Sequence, residues 1–68
     1  MKDALTKEEI ALLYYPRLAS ATARRKFNDE LANTPVLLEK LTRLGYTRFT
    51  KMLTPRQVEA ITMHLGEP

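Results

Sequence analysis

The run Ser20-Ala21-Thr22-Ala23-Arg24-Arg25-Lys26 carries the residue types best suited to chemistry in this chain. Hydroxyls and open backbone N–H groups at a helix start suit phosphate oxygens, and an arginine fork suits N7 and O6 of guanine. Arg17 lies just upstream, and no acid falls between Arg17 and Lys26. A second acid-free segment runs from Lys40 to Arg56 and holds Lys40, Arg43, Arg48, Lys51 and Arg56. It interleaves Tyr46 and Phe49 with its cations. Such rings stack bases when exposed and fill a small core when buried, and the core use is the expected one here. The DNA contacts expected from these patterns are Arg17, Ser20, Thr22, Arg24, Arg25, Lys26, Arg48 and Lys51. The competing reading is a solvated bundle in which Arg24, Arg25 and Lys26 confer solubility and pair with Asp29 and Glu30 four residues on.

Other chemistries lack their residues. There is no Ser/His/Asp set, no glycine-rich phosphate loop and no carboxylate dyad, so an enzyme is not expected. His64 is the single histidine and cysteine is absent, which leaves a metal without ligands. No cofactor or small-molecule substrate is indicated. The opening residues, MKDALTKEEI, are too charged for a signal peptide, and no apolar run approaches the roughly 18 residues of a membrane span. Freedom from cysteine fits a reducing cytoplasm, the expected location. The net charge of +3 is modest, and its blockwise distribution points to an anionic partner more than its size does.

The elements that must position these groups are short helices. Thr6 with Glu9 forms a capping box, Leu5 with Ile10 a hydrophobic staple, and Pro16 stops the first helix near Tyr15. Ile10, Leu13 and Tyr14 give its inner face. After the connection PRLAS, Ser20 is the expected cap of a second helix whose Ala23, Phe27 and Leu31 recur every fourth residue. Asn33 stops it. Thr34 and Pro35 start a third helix carrying Leu37, Leu38, Leu41 and Leu44, and Gly45 ends it. Thr54, Pro55 and Gln57 specify the start of the last helix. Leu53 staples onto Val58, and Gly66 with Pro68 closes it. The expectation is an all-α, compact bundle of four short helices, near 7–15, 21–32, 35–44 and 55–65, in one domain spanning 1–68. Its first pair is helix-turn-helix-like, with Ala11 at the crossing. The core expected from this pattern is Ile10, Leu13, Phe27, Leu31, Leu38, Leu41, Val58, Ile61 and Leu65. Residues 46–53, YTRFTKML, fit a loop, a helical turn or a strand. As a strand they find no partner within the chain and would pair with a second copy.

The segments ALLYYP, ARRKF, LGYTRF and especially LTPRQVEAITMHLGEP resemble a family of short proteins from Bacteroides and relatives, catalogued as a domain of unknown function. The likeness runs from about Lys7 onward, with T-P-R-Q-V and L-G-E-P its most specific part. In that family an aromatic residue, often Trp, follows the basic run of the second helix; Asn28 and Asp29 stand there in this chain. The resemblance implies an architecture and a bacterial source, and it assigns no activity. Two functions follow from the residues themselves. One is a DNA-binding, regulatory protein on double-stranded DNA. The other is a helical module that binds protein, its own copy included, as a homodimer without nucleic acid.

Overall fold

The computed structural model describes residues 4–68, so residues 1–3 of the expected 1–68 domain and of the charged opening segment lie outside it. In chain order the elements are β1 (Leu5–Thr6), α1 (Lys7–Tyr14), α2 (Ser20–Ala32), α3 (Pro35–Arg43), β2 (Met52–Leu53) and α4 (Pro55–Leu65). The four expected helices are present, each with ends within one residue of the sequence reading.

Their boundaries follow from local chemistry. Both capping boxes form. Thr6 Oγ1 accepts from the Glu9 N–H at 3.0 Å, and Glu9 Oε1 accepts from the Thr6 N–H at 2.7 Å. Thr54 and Gln57 repeat this at 3.2 and 3.0 Å. The second box also reaches outward. Gln57 is buried, and its Nε2 donates 2.8 Å to the Leu44 carbonyl at the end of α3. One side chain thus starts α4 and satisfies a carbonyl that the end of α3 leaves open. Gly45, at φ +92°, closes α3: its N–H bonds Thr42 O at 3.1 Å and the Tyr46 N–H bonds Leu41 O at 2.9 Å. That pairing is the Schellman arrangement, and it needs a residue free of Cβ strain.

Two expected caps differ. Helix α2 begins one residue early, with Ala19 in the cap position and Ala23 N–H bonded to Ala19 O at 2.8 Å, so Ser20 lies inside the helix and caps nothing. Thr34 does stand before Pro35, but its hydroxyl donates back to Glu30 O at 2.9 Å and leaves the start of α3 without a side-chain cap.

The expectation that a strand within residues 46–53 finds no partner in the chain is corrected. The segment finds a partner inside the chain: β1 and β2 pair antiparallel, with Leu5 opposite Leu53 and Thr6 opposite Met52. The Lys7 N–H extends the ladder by one step, donating 2.8 Å to Lys51 O. The extended stretch before the Thr6 cap supplies the missing strand, so pairing with a second copy is not required.

The core gathers Ile10, Ala11, Ala23, Phe27, Leu31, Leu37, Leu41, Tyr46, Leu53, Val58, Ala60 and Ile61. Helix α1 packs on α2, and Tyr14 stacks on Phe27 with centroids 6.3 Å apart. The Tyr14 hydroxyl also donates to Gly66 O, tying the end of α4 to α1. Three expected core members sit elsewhere. Leu38 and Leu65 are half-buried, and Leu13 is 46% exposed. The inward stripe of α1 is Lys7, Ile10, Ala11 and Tyr14, a spacing of i, i+3, i+4 and i+7. Leu13 lies roughly 110° from the centre of that stripe, given about 100° per residue.

Candidate nucleic-acid interface

The strand pair assembles a basic cleft. Because the ladder continues through Lys7 and Lys51, it sets these two lysines opposite each other at its edge. The turn that precedes β2 brings Arg48 and Phe49. Helix α2 contributes Arg24 and, one turn on, Asn28. Together with Thr6, Glu8 and Thr50 they line an open cleft of about 530 Å³. Four cations from three separate parts of the chain face this space, with the Glu8 carboxylate as the one acid in the lining.

None of the four forms an ion pair among the described residues. The ion pair present there joins Arg43 to Glu39 at 3.1 Å, on the exposed side of α3. The alternative pairing of Arg25 and Lys26 with Asp29 and Glu30 does not form. Lys7 and Lys51 bring like charges opposite each other at the end of the strand pair, which is unfavourable in itself. Lys7 is the more unusual of the two. It occupies the inward stripe of α1 and is only 7% exposed, with its ammonium 5.0 Å from the centre of the Tyr46 ring. Burial, and after it the positive charge of Arg24, pushes the Lys7 pKa below the ordinary lysine value.

The turn is fixed by threonines. Thr47 N–H donates to Thr50 Oγ1 at 2.9 Å, Phe49 N–H to Thr47 Oγ1 at 3.2 Å, and Thr50 N–H to Thr47 O at 3.0 Å. Arg48 and Phe49 occupy its apex. The Arg48 guanidinium lies over the Phe49 ring, 4.9 Å from its centre. Phe49 is 75% exposed and takes no part in the core, whereas Tyr46 is buried. Tyr46 takes the core place expected of these rings, and Phe49 does not.

The expected contact residues divide as well. Arg24, Arg48 and Lys51 meet at the cleft. Arg17, Arg25 and Lys26 are exposed but do not line it, and Ser20 and Thr22 are half-buried on α2. Sequence reasoning missed Lys7, although its place at the head of the 7-10-11-14 stripe marks it as inward-facing. His64 is exposed at the end of α4, and its Nδ1 lies 3.0 Å from Ala60 O, a geometry that puts the proton on that nitrogen. Among the described residues no cluster of three His, Cys, Asp or Glu side chains is placed to hold a metal ion, and no helix is long and apolar enough to cross a membrane.

A family model described as a domain of unknown function (DUF4248) matches residues 2–68. No curated protein and no solved structure gives a match.

Proposed function

The chain belongs to the family described as a domain of unknown function (DUF4248), which assigns no activity, and from its own residues we propose a small bacterial DNA-binding protein. It acts in the cytoplasm and binds without catalysing a reaction. The observation that carries this reading is the convergence of Lys7, Arg24, Arg48 and Lys51 on one open cleft, without ion pairs among the described residues. Phosphate neutralisation by such a cluster supplies sequence-independent affinity and makes it steeply salt-dependent. Helices α1 and α2 have the order of a helix-turn-helix, but their five-residue connection, residues 15–19, is longer than the tightest form. The contact surface in this reading is the cleft side of α2, where Arg24 stands, with Arg17, Arg25 and Lys26 adding diffuse attraction.

The test is a titration of duplex DNA at several salt concentrations. Wild type is expected to bind at low salt, with Arg24→Ala and the double variant Arg48→Ala/Lys51→Ala weaker and Arg56→Ala close to wild type. Absence of binding to any DNA at low salt would remove the reading.

A second reading, self-association as a homodimer, keeps one supporting observation. Val36 on α3 and Met63 on α4 are 68% and 71% exposed, and Lys40 and Leu44 lie between them. Sedimentation at micromolar concentration is expected to give a dimer mass that Met63→Glu abolishes; a monomer alone would rule it out.

A further inference from the structure

An exposed phenylalanine at the apex of a stiff turn has no structural role to explain it. Phe49 lies outside the core, and the Thr47–Thr50 hydrogen bonds hold the turn whatever side chain stands at that position. Arg48 covers one face of the ring, and at 75% exposure the rest of it is open to solvent. The ring borders the same cleft as Lys7, Arg24 and Lys51. An aromatic platform beside a cationic floor matches one chemical unit: a flat base joined to a phosphate. In a duplex each base face is already covered by its neighbours, so a ring at this position gains a base to stack on only where the strand is unpaired. A binder of duplex backbone alone would need the cations and not the ring.

We propose that the cleft holds one nucleotide of an unpaired nucleic-acid strand, its base stacked on the open face of Phe49 and its phosphate between Lys7, Arg24 and Lys51. This rests on the nucleic-acid reading above and names the form of the ligand. Lys7 is the firmest anchor, because its side chain is already packed inward with the ammonium over the Tyr46 ring before any ligand arrives. Asn28 stands at the α2 wall, where its amide can donate to or accept from a base edge. The Glu8 carboxylate faces the same space and disfavours a second phosphate near the start of α1.

The test compares a labelled oligothymidylate of about 12 nucleotides, within the range of single-strand site sizes, with a duplex of the same length. Wild type, Phe49→Ala and Phe49→Trp are titrated with each. The chain has no tryptophan, so Phe49→Trp carries the single indole and reports stacking by its own fluorescence. Phe49→Ala is expected to lose about 5- to 150-fold in single-strand affinity, the range that base–aromatic stacking gives on alanine substitution, with less than about twofold change on duplex. Phe49→Trp is expected to bind the single strand at least as well as wild type, with its emission quenched. Unchanged single-strand affinity in Phe49→Ala, or no quenching in Phe49→Trp, overturns the inference while duplex binding by wild type preserves the broader reading. Binding of neither form by wild type removes both. Adenosine monophosphate competing at the concentration of the oligonucleotide would make the ligand a free nucleotide and overturn the strand assignment.

Discussion

The two basic segments differ less in charge than in the way the backbone spends it. In α2, Arg24, Arg25 and Lys26 are consecutive, and a helix turns about 100° per residue, so they fan around its axis. Ala23, Phe27 and Leu31 fix the buried stripe. Arg24 then emerges on the flank next to α1 and the cleft, Arg25 points away from the core, and Lys26 falls on the far flank. In residues 47–51 the chain turns and enters a strand. Arg48, Phe49 and Lys51 therefore gather on one side, with Lys7 brought to them by the strand partner. Three adjacent cations on a helix deliver one to the site; Arg48 on the turn and Lys51 just after it both reach it. The way the backbone presents charge outweighs its density along the sequence.

The largest expected effect comes from breaking what aims Arg24. Phe27 is fully buried and stacked with Tyr14. Phe27→Ala should cost about 3–5 kcal/mol, a large share of the stability of so small a domain, and a thermal melt should show a lowered midpoint or no cooperative transition. A melt matching wild type would mean that α2 is not held by this ring. Next is the joint between α3 and α4. Gln57→Ala removes half a capping box and leaves the Leu44 carbonyl without its donor, at a cost of about 1–3 kcal/mol in urea unfolding. Gly45→Ala follows at about 1–2 kcal/mol, from the positive φ and not from crowding, since an added Cβ would meet only Gln57 Nε2 at 4.0 Å.

Lys7 sharpens the comparison through pH. Its pKa is lowered in the fold relative to the unfolded chain, so between the folded value and 10.5 the unfolded chain binds more protons. Wild-type stability should therefore gain on that of Lys7→Met as pH rises through this window, and DNA binding should be weaker in the variant. The three tyrosines move the other way. Burial raises Tyr14, Tyr15 and Tyr46 above 10.0, so their contribution is present below that pH and fades as it rises through their folded values. Reading the difference between the two proteins cancels the Tyr14 and Tyr15 background, while Tyr46, which lies under the Lys7 ammonium, is followed by its own absorbance. The smallest effect belongs to Arg25→Ala, expected within about 0.5 kcal/mol of wild type in stability, as for surface positions without special features.

Much of the scaffold was legible because its signals are local. Thr6 with Glu9, Thr54 with Gln57, and Gly45 and Gly66 each act within a few residues, and the four helices fall where they indicate. The fourfold spacing in α2 located Phe27 and Leu31, and Ile10, Leu41, Val58 and Ile61 are also inside as expected. What failed depended on distant partners. The β1–β2 ladder joins residues some 47 positions apart, and neither two-residue strand has a pattern of its own. The charge of Lys7 masks its place on the inward stripe, and the hydrophobicity of Leu13 suggests a core place that its position off the stripe denies it. The candidate site was half legible for the same reason. Arg24, Arg48 and Lys51 are visible in the sequence as basic residues, but their meeting at the cleft, which Arg17, Arg25 and Lys26 do not line, depends on the strand pair.

In the proposed complex Arg24 reaches the nucleic acid through the cleft, while its neighbour Arg25 does not. The direct measurement is duplex DNA affinity against salt for wild type, Arg24→Ala and Arg25→Ala, with helicity checked by circular dichroism. Each neutralised phosphate contributes about −0.9 to the log–log slope. Arg24→Ala is expected to flatten the slope by about one unit, and Arg25→Ala, which removes only diffuse attraction, by clearly less. Equal flattening in both variants, or a larger loss in Arg25→Ala, would contradict the cleft and return the contact to the outer face of α2.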